Sequence, residues 1–184
     1  ATGATEICYD LAGRIVMTQD AKQRAAGTCT YFIYDNLSRV VETGAVLKNN
    51  DWIQAKLTDP AYTFSSMVKG LTRYEVTATM YDTPSYQVAG PFATLPAQEN
   101  LKNRIACVKY YELINPNANA IADTNYVNAL HYSYDVSGNV KTLIHDLRNV
   151  ADKLLRFKRV DYEYDLYSGK VIMLAYNRGY ADQL

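Results

Sequence analysis

"HYSYDVSGNV", His131 to Val140, decides how the whole chain is read. Two tyrosines one residue apart run into an aspartate, two loop residues, a glycine, an asparagine and a β-branched valine. His131, Tyr132, Ser133 and Tyr134 suit an extended strand, and alternation of side chains puts Tyr132 and Tyr134 on one face. Asp135 then opens a type I turn, its carboxylate accepting a backbone N–H two residues on. Gly138 falls where left-handed backbone is needed, which predicts a three-residue hairpin loop with a bulge. Val140, Thr142 and Ile144 continue in the returning strand. Tyr134 then faces Val140, an aromatic and β-branched cross-strand pair contributing about 0.2–1 kcal/mol.

The same pattern recurs along the chain. In "EICYDLAGRIV", from Glu6, Tyr9 and Asp10 lead to Gly13, and Tyr9 is expected opposite Ile15. In "YFIYDNLSRVV", from Tyr31, Tyr34 and Asp35 lead to Ser38 in the glycine's place, with Tyr34 facing Val40. "ATMYDTPSYQV" carries Tyr81 and Asp82 but then Pro84 and no glycine, so its turn is the least regular. "DYEYDLYSGKV" holds Tyr162, Tyr164 and Asp165, with one extra loop residue before Gly169 closes the turn. Of the intervals between the Tyr-Asp pairs, the two around Tyr81 are nearly double the others. "VKYYELINP" (Val108 to Pro116) fills one of them as a decayed copy, with Tyr111-Glu112 in the place of Tyr-Asp, whereas 45–73 holds no copy.

A repeat period of a few tens of residues means an array of supersecondary units, each covering its neighbour's edge. One hairpin alone is marginal in water, so the array supplies the stability. The reading is an all-β fold: one segment of antiparallel β-hairpins forming a curved sheet. Hairpins are expected near 6–18, 31–44, 76–90, 104–114, 131–144 and 161–176, and irregular connections near 45–73, 88–100 and 145–158. Within these, Asn49–Pro60 has a cap, a helix-forming run and an Asp-Pro stop, which reads as a brief helix or loop. Leu143, Leu147, Val150 and Leu154 stand at helical spacing, and their stretch reads as a loop containing some helix.

Lys+Arg and Asp+Glu are both 19, so no net field gathers nucleic acid or an acidic membrane. No apolar run is long enough to span a bilayer. The 17 tyrosines against 4 phenylalanines and 1 tryptophan point to sheets with much surface that is neither dry core nor free solvent. Cys8, Cys29 and Cys107 cannot all pair within one chain, and they read as small buried hydrophobes, with a Cys8–Cys29 bridge left open.

Candidate chemistry is sparse. Asp10, Asp35, Asp82, Asp135 and Asp165 recur at one phase of the repeat, which the turn explains, whereas catalysis needs a single asymmetric constellation. The turns also lack the dense oxygen run of a calcium loop. His131 and His145 have no Cys/His cluster beside them, so no zinc site is expected, and no nucleophile-elbow, metalloprotease or phosphate-loop pattern occurs. Asn36-Leu37-Ser38 matches a glycosylation sequon by chance within a turn. No cofactor and no enzyme activity are expected. A second hypothesis makes Tyr132 with Tyr134, or Tyr162 with Tyr164, a stacking platform for carbohydrate or peptide.

Taken together, Tyr-x-Tyr-Asp-x-x-Gly-Asn/Arg-Val and its variants resemble the YD repeats of RHS proteins, most strongly at 6–18, 31–44, 131–144 and 161–176. The departures are Ser38, Pro84 and the missing copy at 45–73. That resemblance implies a ribbon of hairpins wound into an RHS-type β-shell in an exported or cell-surface bacterial protein. It also implies that the shell encloses or presents another part, such as a C-terminal toxin domain. The partners implied are the remaining repeats of the same parent chain, an enclosed toxin domain or export machinery. The chain reads as an internal piece whose targeting segment lies elsewhere. At the level of one turn, Gly138→Val should lower stability more than Asp135→Asn, because a β-branched residue tolerates positive φ poorly while asparagine keeps most of the turn chemistry. Denaturant unfolding of the two variants checks this, and equal losses would contradict the turn.

Overall fold

A computed structural model describes residues 3–49, 52, 57, 59, 63–89, 95–150 and 156–177. Ten strands carry the fold: β1 (Glu6–Tyr9), β2 (Ile15–Gln19), β3 (Thr28–Tyr34), β4 (Val40–Leu47), β5 (Arg73–Tyr81), β6 (Ile105–Ile114), β7 (Asn128–Tyr134), β8 (Val140–Leu147), β9 (Phe157–Tyr164) and β10 (Val171–Tyr176). They form an antiparallel sheet in simple chain order, with β1 and β10 as its two edges. The all-β expectation therefore holds. Every outgoing strand ends on the tyrosine of a Tyr-Asp pair: Tyr9, Tyr34, Tyr81, Tyr134 and Tyr164.

Five hairpins thus use five Tyr-Asp pairs, and two expectations need correcting. The hairpins placed near 76–90 and 104–114 are the two strands of one hairpin, β5 and β6, separated by a long excursion inside the turn. Tyr111 and Glu112 are not a decayed turn; they lie within β6, where Tyr111 is buried and its hydroxyl donates to the carbonyls of Ala120 (2.6 Å) and Asp123 (2.8 Å). The doubled intervals arise from insertions: one between β4 and β5, and another inside the β5–β6 turn.

Among the described residues, two helices interrupt the strands. α1 (Ala21–Ala26) joins β2 to β3, and Asp20 and Gln23 close a reciprocal capping box at its start. Gly27 ends it at φ 67°, where a side chain would be strained. α2 (Phe64–Lys69) lies between β4 and β5. The brief helix or loop expected over Asn49–Pro60 falls almost wholly outside the described residues. The loop expected near 145–158 begins later than thought, since β8 runs to Leu147 and pairs with β9 as far as Asp146↔Phe157.

The chain divides into two compact units, one of residues up to Ala78 with Tyr110–Asn125, the other of Thr79–Lys109 and residues from Tyr126 onward. In the first, β3 alternates inward Cys29, Tyr31 and Ile33 with outward neighbours. Those side chains join Cys8, Val16, Met17 and Val46, and Trp52, Leu57, Phe64 and Val68 from the β4–β5 connection complete the cluster. Trp52 is fully buried and meets Phe64 edge-on at 5.1 Å. In the second unit, Tyr86 and Leu95 of the in-turn excursion pack on Ile144 and Phe157, while Leu101 and Ala106 pack on Tyr134. The inserted segments therefore cover sheet faces that bare hairpins would leave wet.

Each unit also buries an ion pair. Arg73 and Glu42 meet with 0% and 4% of their side chains exposed, and Tyr31 donates its hydroxyl to the same carboxylate oxygen at 2.8 Å. The second guanidinium arm of Arg73 donates to the carbonyl of Ala118. In the other unit Asp146 accepts two bonds from Arg156, at 2.6 and 2.7 Å, and one from the Tyr126 hydroxyl at 2.6 Å. A buried carboxylate left without its cation is expensive, whereas apolar replacement of both partners is often tolerated. Arg73→Met is therefore expected to destabilise the chain by about 3–5 kcal/mol, with Arg73→Met/Glu42→Leu recovering much of the loss in urea unfolding.

Candidate functional site

The recurring feature of the molecule is the Tyr-Asp turn and its contact with the hairpin before it. In all five turns the aspartate's own N–H donates to the residue just before the return strand: Asp10 to Arg14 (2.9 Å), Asp35 to Arg39 (2.9 Å), Asp82 to Arg104 (3.1 Å), Asp135 to Asn139 (3.0 Å) and Asp165 to Lys170 (2.8 Å). Asp10 Oδ1 accepts from the N–H groups of Ala12 and Arg14, and Asp35 Oδ1 from those of Leu37 and Arg39, all at 2.9 Å. The second carboxylate oxygen takes the guanidinium of Arg14 or Arg39. Asn139 plays that part through its amide, which donates to Asp135 Oδ2 at 2.9 Å. Gly13, Gly138 and Gly169 stand at φ 75°, 95° and 66°, and Ser38 takes the same conformation at 63°. Serine therefore accepts strain here that glycine avoids.

The third turn is the exception that explains the rule. Asp82 accepts at Oδ1 from the N–H of Asn103 (2.6 Å), and Asn103 supplies the positive φ, at 60°. "LKNR" (Leu101 to Arg104) thus completes a turn that Tyr81-Asp82 began. The intervening chain folds back onto β6 and β7. There the Gln98 amide donates to the carbonyls of Ala106 (2.7 Å) and Tyr132 (2.8 Å), and Asn100 donates to that of Tyr134 (2.9 Å). Pro84, read as an irregularity of the turn, begins this excursion.

The tyrosines lock hairpin to hairpin. Tyr34 donates its hydroxyl to the carbonyl of Ile15 (2.7 Å), Tyr134 to Ile105 (2.9 Å) and Tyr164 to Val140 (3.0 Å). Each acceptor is the first residue of the return strand of the preceding hairpin. A backbone register repeats at the β2–β3, β4–β5 and β8–β9 seams: Met17↔Tyr31, Glu42↔Ala78 and Thr142↔Asp161 all pair the third residue of a return strand with the residue three before the next Tyr-Asp tyrosine. Two turn arginines reinforce the seams, Arg14 lying 4.6 Å from the Tyr34 ring centroid and Arg104 5.4 Å from that of Tyr134. These arginines were not singled out from the sequence, because their partners lie on another hairpin; the only local signal was a basic residue after the turn.

Within hairpins, Tyr9↔Ile15, Tyr34↔Val40 and Tyr134↔Val140 pair as read, each beside a register shift, and Tyr164 pairs with Val171. Tyr132 stacks on Tyr134 at 6.5 Å and Tyr162 on Tyr164 at 6.4 Å. In the first pair Tyr134 is 9% exposed, with Arg104 over its ring, while Tyr132 is half-buried. The second pair is half-buried, with the Tyr164 hydroxyl committed to Val140.

The titrating groups serve structure in the same way. Burial works against ionisation of Asp10 and Asp35, but the hydrogen bonds from Arg14 and Arg39 and from the turn N–H groups outweigh it and hold both below the usual 3.8. Bonds led by the Asn139 amide and by Ser168 lower Asp135 and Asp165. His131 is packed rather than superficial: its Nδ1 lies 2.8 Å from Ser85 Oγ, Tyr86 meets it edge-on, and burial lowers its pKa to about 4. Cys8, Cys29 and Cys107 are buried free thiols, and burial pushes Cys29 and Cys107 up to about 12, far from a reactive thiolate. Among the described residues no cluster of His, Cys, Asp and Glu could hold a metal ion, and no helix is long and apolar enough to cross a membrane.

No family model and no curated protein matches the chain. Among solved structures it is similar to the TcdB2–TccC3–TEV crystal structure, with 19% identity and a TM-score of 0.35 over 94% of this chain and 7% of that one. It is also similar to a Photorhabdus luminescens Tc holotoxin pore carrying a mutation in TccC3, with 16% identity and a TM-score of 0.27 over 94% and 9%. For a TcdB2–TccC3 crystal structure the values are 16% and 0.25 over 99% and 10%. The chain thus spans a tenth or less of the length of these structures.

Acid should unfold the protein in two stages. His131 is lowered in the folded state, so its contribution is complete above 6.5 and fades as pH falls towards about 4, a loss on the order of 3 kcal/mol. The turn aspartates, also lowered, keep their contribution above 3.8 and lose it only as pH falls further. Urea midpoints measured from pH 7 to 3 should show both limbs, with His131→Leu flattening the first alone.

Proposed function

We propose that this chain is a non-catalytic wall segment of a YD-repeat protein that is exported or displayed on a bacterial surface. Its role is to enclose or present another part of its parent, such as a C-terminal toxin domain. The observation that carries this reading is the seam: Tyr34, Tyr134 and Tyr164 spend their hydroxyls on carbonyls of the preceding hairpin. Polar groups that would make a binding surface are consumed in holding strands in register. The five turn aspartates are likewise occupied by turn N–H groups. A wall needs this arrangement, since each added hairpin must find one register without help from a central core.

The test uses the full parent polypeptide. Tyr34→Phe/Tyr134→Phe/Tyr164→Phe keeps the rings and removes three hydrogen bonds, each worth about 1 kcal/mol. Faster proteolysis of the enclosed part, at a temperature where the unaltered parent protects it, is the expected result. An enclosed part equally accessible in both proteins, despite a lowered melting temperature of the wall, would overturn the reading.

A further inference from the structure

Arg159 stands outside the seam chemistry. It lies on β9 opposite Ile144 of β8, and buried Asn177 holds its backbone. The Arg159 N–H donates to Asn177 Oδ1, and the Arg159 carbonyl accepts from the Asn177 N–H, each at 2.7 Å. The side chain is held as firmly. Its Nε donates to Asp161 Oδ1 at 3.0 Å and lies 2.8 Å from Oδ2. That carboxylate belongs to a residue 9% exposed and accepts at Oδ1 from the Thr142 hydroxyl at 2.8 Å. The guanidinium is therefore fixed through Nε alone. Among the described residues neither of its terminal nitrogens has a hydrogen-bond acceptor, and 22% of the side chain reaches solvent.

Arg159 and Asp161 line a hollow of about 240 Å³, together with Pro96, Ala97, Ser133 and Lys141. That is the volume of about eight liquid waters, enough for a small organic group. Ser133 is buried; its Oγ accepts the Glu99 N–H at 2.9 Å and keeps its own proton for another acceptor. Most charges around the hollow are paired, Asp161 with Arg159, and Glu99 with Lys141 at 2.8 Å in an exposed contact. Exposed Glu163 adds one negative charge. The polar valences left over at Arg159 and Ser133 are thus donors, and they match a group that only accepts. A planar fork of N–H groups suits a carboxylate, with two parallel charge-assisted bonds. Glu163 works against a second negative charge on the ligand, and so against phosphate.

We propose that this hollow binds a single carboxylate, carried on a small molecule or at a peptide terminus. The terminal nitrogens of Arg159 form the fork, Ser133 and Lys141 add donors, and Asp161 and Thr142 orient the fork. All of these residues belong to one compact unit, and the site is independent of what the wall encloses.

The experiment titrates the isotope-labelled full chain and follows its backbone amides and the Arg159 Nε–H resonance. Glycine probes a free amino acid and N-acetylglycine a peptide terminus, while N-acetylglycine methyl ester removes the charge and inorganic phosphate doubles it. Saturable shifts centred on Arg159, Ser133 and Lys141 are expected for at least one carboxylate, with a Kd on the order of 1 mM. The tighter of the two identifies the source. Arg159→Lys keeps a cation beside Asp161 but loses the fork, and should weaken binding about tenfold. Lys141→Gln, on the surface, should weaken it about threefold with circular dichroism unchanged. No saturation by either carboxylate would overturn the proposal, as would equal binding of the ester, tighter binding of phosphate, or undiminished binding by both variants.

Discussion

A phenol hydroxyl reaching one strand further than its own hairpin is the interaction on which this fold depends. Cross-strand pairs such as Tyr134 with Val140 hold a hairpin together, but they say nothing about which neighbour it joins or in what register. The hydroxyl of the same tyrosine supplies that information. By ending on the first carbonyl of the preceding return strand, it converts a local turn into a ruler for the next seam. A slip of one residue would move the donor off its acceptor and turn buried side chains to the wrong face. Tyrosine serves here where phenylalanine cannot, because the position needs an apolar body for stacking and a donor at the far end.

The turn chemistry and the seam are coupled through one residue. Arg14 holds the carboxylate of Asp10 in its own hairpin and lies over Tyr34 of the next. Its guanidinium also donates to Ser38 Oγ at 3.1 Å. An exposed ion pair of this kind contributes little by itself. Here its value is geometric, since it fixes the plane on which the following tyrosine rests. Where the sequence has Asn139 instead, the amide still satisfies Asp135.

Four of the five hairpins were legible in the sequence because their information is contiguous: strand, Tyr-Asp, a residue able to take positive φ, and a β-branched return. The fifth was not, because Asp82 finds its partners Asn103 and Arg104 only after the chain has left and come back. Periodicity then misled twice, making Tyr111-Glu112 look like a turn and the doubled spacing look like lost repeats. Leu143 and Leu147 stand at helical spacing, yet they lie in β8, whose pairing with β7 and β9 overrides that weak local signal. α1 was readable from Asp20, Gln23 and Gly27 but was passed over within a strand rhythm. The tyrosine acceptors and the cations above the rings were not readable at all, since each belongs to a different hairpin from its partner.

The split turn has a consequence for how the chain reaches this state. Four hairpins close loops of a few residues, which a chain samples rapidly and at small entropic loss. Asp82 must wait for Asn103, with Gln98 and Asn100 bonded to backbone carbonyls of β6 and β7 along the way. β5 and β6 are therefore the strands whose union has the longest contact order of any hairpin here. They are also the strands through which the division into two compact units runs. Pairing of β5 with β6 is thereby expected to be the slowest of the five hairpins to close.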